Sequence, residues 1–105
     1  MKTIISDYED KIAFDREKAT KVLLSQTDMS RATLWCLMPG QSIEPHIHDG
    51  DHIWVVLEGE GRLTNDEEET GALSPGIIAS IPSGHAHGAE NTGQQGLVFV
   101  SISIV

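Results

Sequence analysis

Short β-prone runs separated by turns rich in Gly and Pro are the feature that most restricts how this chain can fold. From residue 20 onward, runs of Val, Ile, Leu and Trp recur roughly every eight to twelve residues. The turns between them include Pro39–Gly40, Ser74–Gly76 and Pro82–Gly84. Because no window of 20–105 carries a helical stripe, the pattern predicts an all-β fold, either a sandwich or a barrel.

The length of the chain predicts how this fold is organised. A chain of 105 residues supports one hydrophobic core, so a single domain over 1–105 is predicted. Residues 1–19 are charged and lack clear periodicity, and we expect an N-terminal arm that adds one edge strand or a short helix. Residues 20–105 are predicted to form the barrel.

Charge and cysteine content narrow the classes of partner. The 7 Lys and Arg residues stand against 16 Asp and Glu, giving a formal net charge of −9, which argues against binding to nucleic acid or to a membrane surface. No segment approaches the ~20 apolar residues of a membrane span, and the N-terminus lacks a signal-peptide pattern, so the cytoplasm is the expected location. The lone cysteine, Cys36, lies in an apolar run and is expected to be a buried, inert thiol.

The five histidines all lie between positions 46 and 87, which is too concentrated for a scattered surface set. His46 and His48 are two apart, so on a strand their side chains share one face. His48 and His52 have the spacing of a helical zinc motif, but Gly50 and the preceding Pro45 argue against a helix there. A turn after His48 would instead bring His52 back beside the first two.

Three converging imidazoles predict a metal site that needs at least one more ligand. A divalent ion of intermediate softness takes about four to six ligands, with metal–nitrogen distances of roughly 2.0–2.2 Å. His85 and His87 are the remaining histidines, and both follow the Pro82–Gly84 turn. Residue types and spacing alone do not choose between them.

Two spaced motifs in this chain resemble those of the cupin superfamily. In the first, Gly40 is followed by five residues, His46-Ile47-His48, three residues, His52, six residues and Gly59. In the second, Gly76 is followed by five residues, Pro82-Ser83-Gly84, two residues, His87, three residues and Asn91. The resemblance covers 40–91, about half the chain, and implies a double-stranded β-helix, the jelly-roll or cupin barrel.

The resemblance also implies that His46, His48, His52 and His87 bind one divalent transition metal ion: Zn, Fe, Ni, Cu or Mn. His85 is not a ligand position in the family's pattern, and a role in the pocket or behind a ligand stays open. His52 departs from the glutamate that is usual there, although some small cupins carry four histidines. Four neutral ligands leave the full +2 charge of the ion uncompensated, which favours anionic substrates such as enolates and carboxylates.

Strand parity predicts further pocket residues. If His52 faces inward, Trp54 and Val56 do so too. On the last strand, either Phe99, Ser101 and Ser103 face the pocket or the intervening aliphatic residues do, and we favour Phe99 and Ser101 because this strand passes close to the metal in cupins. Trp35 is a further candidate.

The resemblance favours a metal-dependent enzyme that acts on a small anionic or enolisable molecule, with either dioxygenase-like or isomerase- or cyclase-like chemistry. The alternative is a non-catalytic module that binds a small ligand or stores or senses a metal. Small cupins commonly pair through sheet edges, and the apolar run Leu97–Val105 suits either a buried or an intersubunit strand, so a homodimer is predicted.

Overall fold

Nine strands account for most of the chain. The computed structural model describes residues 2–65 and 70–104, and the acidic segment 66–69, predicted as a turn, lies outside the described residues. One short 3₁₀ helix, Tyr8–Lys11, lies in the N-terminal arm. The strands are β1 (Thr20–Gln26), β2 (Ser30–Leu37), β3 (Ser42–Ile47), β4 (Asp51–Glu58), β5 (Gly61–Thr64), β6 (Thr70–Leu73), β7 (Ile78–Ile81), β8 (Ala86–Asn91) and β9 (Leu97–Ile104).

The strands form two antiparallel sheets. The larger sheet has the order β1-β2-β9-β4-β7, and the smaller has the order β3-β8-β5-β6. Strands that are distant in sequence are neighbours in both sheets, as expected when a chain winds between two layers of a jelly roll. This confirms the prediction of an all-β double-stranded β-helix. None of the described residues forms a helix with the length and hydropathy that crossing a membrane requires.

The larger sheet is covered on both of its faces. Phe99 and Val56 on its inner face pack in one cluster with Leu73 of the smaller sheet, and burial of each such side chain stabilises the fold by about 1.5–3 kcal/mol. On its outer face, Tyr8 and Ile12 of the arm pack around a second cluster, formed by Leu34, Cys36 and Val98. The arm therefore adds a 3₁₀ helix and an outer cover, without contributing an edge strand.

Three cross-strand rows on the inner face of the larger sheet change from apolar to polar along the strands. Residues directly opposite each other in adjacent strands present their side chains to the same face. The first row is apolar apart from its edge, the second is mixed, and the third ends at a histidine. In strand order these rows are Lys21-Trp35-Phe99-Val56, Leu23-Thr33-Ser101-Trp54 and Arg31-Ser103-His52.

A glycine holds the smaller sheet closed next to the histidines. Gly88 follows His87 on β8, and a Cβ atom at this position would overlap the carbonyl oxygen of Ile43 on β3. Because no side chain separates the two strands, β3 approaches β8 closely enough for His46 to lie directly opposite His87 in the ladder.

Candidate metal centre

Four histidines lie near one another on three segments of the fold. His46 lies on β3, and His48 follows immediately after that strand. His52 lies on β4 in the larger sheet and His87 lies on β8 in the smaller one. The site therefore spans both sheets at one end of the jelly roll, where the polar row of the larger sheet faces β8.

Two turns hold the histidine segments in place through hydrogen bonds to each other. Gly50, which has a φ of +83°, donates its N–H to the Ser83 hydroxyl over 3.0 Å. Ser83 in turn donates its N–H to the Asp51 carboxylate over 3.0 Å, and the Gly84 N–H donates to the His48 carbonyl over 3.2 Å. The Asp51 carboxylate is thus used to fix the turn, and these bonds tie the turn before His52 to the turn before His87.

Three of the four histidines bring their ring nitrogens together. One nitrogen each from His48, His52 and His87 lies within 4.8 Å of the others. Their ring centroids are 4.5 Å apart for His48 and His52, 5.2 Å for His48 and His87, and 4.9 Å for His52 and His87. His46 lies outside this set, although its ring is 4.2 Å from that of His48 and 5.9 Å from that of His87.

Backbone carbonyls orient two of the rings. His87 Nδ1 lies 3.1 Å from the carbonyl oxygen of His85, and His46 Nδ1 lies 2.8 Å from that of Glu44. When Nδ1–H donates to the carbonyl, Nε2 carries the lone pair that a metal ion needs, and the ring is held in one orientation. Bonds of this kind commonly support histidine ligands of metals.

The clustered imidazoles are held in their neutral form. Burial, together with the smaller effects of the neighbouring His48 and His87, lowers the pKa of His52 from 6.5 to about 4, although Asp51 acts in the opposite direction. Burial is also the main cause that lowers the pKa values of His48 and His87. The side chains of His52 and His87 are only 7% and 4% exposed, so two of the three neutral ring nitrogens lie away from bulk water, whereas His48 is half-buried.

The histidines line one wall of a cavity of about 680 Å³ that is bounded mainly by the inner face of the larger sheet. Its apolar lining includes Trp35, Ile43 and Trp54, and its hydroxyl groups include those of Ser101, Ser103 and Thr33. Charged and amide side chains complete it: Lys21, Gln26, Asp28, Arg31 and Asp49.

The other residues expected near the pocket fall into two groups. Trp35, Trp54 and Ser101 line the cavity. Val56 and Phe99 share the inner face but lie in the core at the apolar end of their strands, and neither lines the cavity. The ring centroids of Phe99 and Trp54 are 4.5 Å apart.

His85 takes a different place from the other histidines. Its side chain is exposed and does not line the cavity. Its main-chain carbonyl is what accepts the hydrogen bond from His87. Residue 85 therefore affects the site through its backbone carbonyl. Strand parity with His87 does not apply to the His85 side chain, because His85 precedes β8.

Sequence reasoning missed the two basic residues of the cavity, Lys21 and Arg31. Arg31 is four residues before Trp35 on the same strand, so its side chain shares the face of that tryptophan. The parity signal was therefore present for Arg31. For Lys21 the signal depends on the pairing register of β1 with β2, which the sequence does not display.

Family comparison agrees with the two-sheet fold. Residues 33–103 match the family described as Cupin domain, which is most of the chain. The chain belongs to the cupin family. An oxalate-binding protein of Thermotoga maritima is 34% identical to this cupin over 88 residues, covering 79% of this chain and 72% of the relative.

Solved structures extend the likeness to the whole fold. A Klebsiella pneumoniae protein with a double-stranded β-helix domain matches with a TM-score of 0.92 and 27% identity, covering 98% of this chain and 90% of its own. A protein of Thermotoga maritima, described as a predicted oxalate decarboxylase, matches with a TM-score of 0.77 and 27% identity, covering 83% of this chain and 80% of its own.

The donor set fits a divalent transition metal ion. Imidazole nitrogen suits Zn, Cu, Fe and Ni, and neutral rings accept a metal without first losing a proton. Nitrogen ligands of one tetrahedral ion lie roughly 3.4 Å apart, so separations of up to 4.8 Å require only small ring movements. Three histidines at a cavity also leave positions for a further ligand and for a bound molecule.

Proposed function

We propose that this cupin binds one divalent transition metal ion, Zn, Fe, Ni, Cu or Mn, through His46, His48, His52 and His87, and uses it to act on a small carboxylate or enolate anion. The observation that carries the proposal is the position of three neutral, converging histidines on the wall of a cavity of about 680 Å³. A site that only stabilised the fold would have no need of open space beside its ligands.

His46 is the proposed fourth ligand because of its place in the ladder. It lies directly opposite His87, and its ring already contacts that of His48. Its side chain is exposed, so a shift of the ring toward the other three would not disturb the core. A set of four imidazoles contributes no negative charge, and the ion then attracts anions more strongly than it would beside a glutamate.

An anionic ligand is supported by the comparisons and by the donor set. One relative is described as oxalate-binding and one solved neighbour as a predicted oxalate decarboxylase, and oxalate is a small dicarboxylate. A bound divalent ion would supply Lewis-acid polarisation of a carboxylate or enolate, and a redox-active ion would also support oxygen-dependent chemistry. We propose that such chemistry is dioxygenase-like or isomerase- or cyclase-like.

The chain's own groups then bind and orient the anion. The Ser101 and Ser103 hydroxyls line the cavity and offer hydrogen-bond donors. Trp54 also lines it, and within the described residues its buried Nε1–H has no hydrogen-bond partner. A buried donor without a partner is costly, so an acceptor on a bound molecule would stabilise this arrangement.

Metal analysis followed by ligand titration tests the proposal. We expect protein purified without added metal to contain about one transition metal ion per chain by elemental analysis. Calorimetric titration with sodium oxalate should show binding that a chelator abolishes. Oxygen uptake and isotope exchange on enolisable diketones should then reveal turnover. If the protein holds no transition metal and takes none up, the proposal is wrong.

The second candidate function is non-catalytic binding of a small anion at the same metal. The name of the Thermotoga maritima relative, an oxalate-binding protein, favours it. Tight, metal-dependent binding of oxalate without turnover of oxalate or of the diketones would select this candidate over the enzyme.

We also propose that the chain forms a homodimer through a sheet edge. Strand β1 pairs on one side only, with β2, so its other edge is available for pairing. The protomer mass is 11.4 kDa, and light scattering should therefore give about twice that value for the protein in solution. A monomeric mass at high protein concentration would contradict the proposal.

A further inference from the structure

Two cationic side chains face the histidine cavity from strands β1 and β2. Lys21 and Arg31 both belong to its lining, although Lys and Arg together number only 7 in a chain of net charge −9. The Lys21 ammonium lies 5.7 Å from the centroid of the Trp35 ring. Within residues 2–65 and 70–104, neither cation forms an ion pair, even though Asp28 and Asp49 also line the cavity.

The row that contains Arg31 leads directly to the proposed metal site. Arg31 lies opposite Ser103, and Ser103 lies opposite His52. Adjacent strands are about 4.8 Å apart, so the Cα atoms of Arg31 and His52 are separated by roughly 10 Å across the sheet. The serine between them is small, and the cavity extends over it. A molecule bound beside His52 can therefore extend toward the guanidinium without meeting a bulky side chain.

The size of the cavity exceeds what oxalate needs. A volume of about 680 Å³ falls within the range of roughly 300–1,000 Å³ that accommodates drug-sized ligands. Oxalate is the smallest dicarboxylate and would occupy only a small part of that space. Between the histidines and the two cations lie Trp35, Thr33 and Ser101, which suit an extended middle section of mixed polarity.

We propose that Arg31, assisted by Lys21, binds the second anionic group of an extended dianion whose first carboxylate lies at the histidine site. The inference rests on the proposed function, because it takes the histidines as the place where the first carboxylate binds. A guanidinium presents paired N–H donors that match a carboxylate, whereas the Lys21 ammonium adds attraction as a point charge. The ligand class is thus a dicarboxylate longer than oxalate, and Arg31 determines specificity for its distant end.

A series of carboxylates of increasing length tests the ligand class. The zinc-loaded protein is titrated calorimetrically with oxalate, succinate, glutarate and adipate, and with the matched monocarboxylates butyrate, pentanoate and hexanoate. We expect succinate, glutarate or adipate to bind more tightly than oxalate. We also expect each of these to bind roughly fivefold more tightly than the monocarboxylate of its length, as suits a partly solvated charge pair.

Variants of the two cations test which residue is responsible. Arg31→Gln should abolish the advantage of dicarboxylates over monocarboxylates, and Lys21→Gln should reduce it, while the zinc content stays at the wild-type level. Arg16→Gln is the matched control, because it removes the same charge from an exposed residue outside the cavity. It should leave the preference intact.

The outcomes separate this inference from the proposed function. If zinc and oxalate bind but the preference for longer dicarboxylates is missing, or survives in Arg31→Gln, the inference is wrong and the proposed function stands. If neither zinc nor any carboxylate binds, both are wrong. A preference that disappears in Arg31→Gln but not in Arg16→Gln, at unchanged zinc content, supports the inference.

Discussion

Replacing His52 or His87 with alanine is expected to lower the affinity for a divalent transition metal by at least about a hundredfold. Loss of a residue that only supports a metal ligand already lowers metal affinity by up to about that factor, and loss of the ligand itself should cost at least as much. Both side chains are almost completely buried, at 7% and 4% exposure, and they come from opposite sheets. No other histidine among the described residues can move into either place. His48 and His46 are already part of the same cluster, and His85 is exposed.

The control variants distinguish loss of a ligand from loss of the fold. His85→Ala removes an imidazole but keeps the carbonyl that orients His87, so its metal content should match the wild type. His52→Glu replaces one ligand with the usual cupin ligand and should retain metal. Competition with a chromogenic chelator measures the affinity, and circular dichroism checks the fold. Full metal content in folded His52→Ala and His87→Ala proteins would refute the ligand assignment.

The fold was predictable because local signals agreed along the whole chain. The turns at Pro39–Gly40 and Pro82–Gly84 divide the sequence into runs whose length and β-branched content suit strands. The first strand, Thr20–Gln26, begins at the residue where the barrel was predicted to begin. The family spacing then selected one arrangement of strands, which residue periodicity alone leaves open between sandwich and barrel.

The cavity was only partly predictable because it depends on how strands pair. Parity placed Trp54 on the face of His52, the resemblance to cupins favoured Ser101, and both line the cavity. Parity does not say how far along the jelly roll a residue lies, so Phe99 was expected in the pocket although it belongs to the core. The position of Arg31 beside the histidines follows from its pairing with Ser103 of a strand some seventy residues later in the chain. The pairing register of β2 with β9 cannot be read from the local sequence of either strand.

Stability of the metal-free protein should fall steeply as the pH drops from neutral toward 4, and His52 should account for much of the fall. The folded-state pKa of His52 is lowered from 6.5 to about 4, mainly by burial. Between these values the unfolded chain binds more protons than the folded one, so the free energy of unfolding decreases as the pH falls. His48 and His87 are shifted in the same direction and add to the effect.

The expected loss attributable to His52 is about 2 to 3 kcal/mol between pH 7 and about pH 4.5, since each pKa unit is worth about 1.4 kcal/mol. Urea unfolding in the presence of a chelator at the two pH values measures it. Carboxylates titrate in the same range, so the decisive quantity is the difference between variants. His52→Gln keeps a neutral polar side chain and should lose less stability on acidification than the wild type, by about that amount. His85→Gln changes an exposed residue outside the cavity and is the control, which should lose as much stability on acidification as the wild type does.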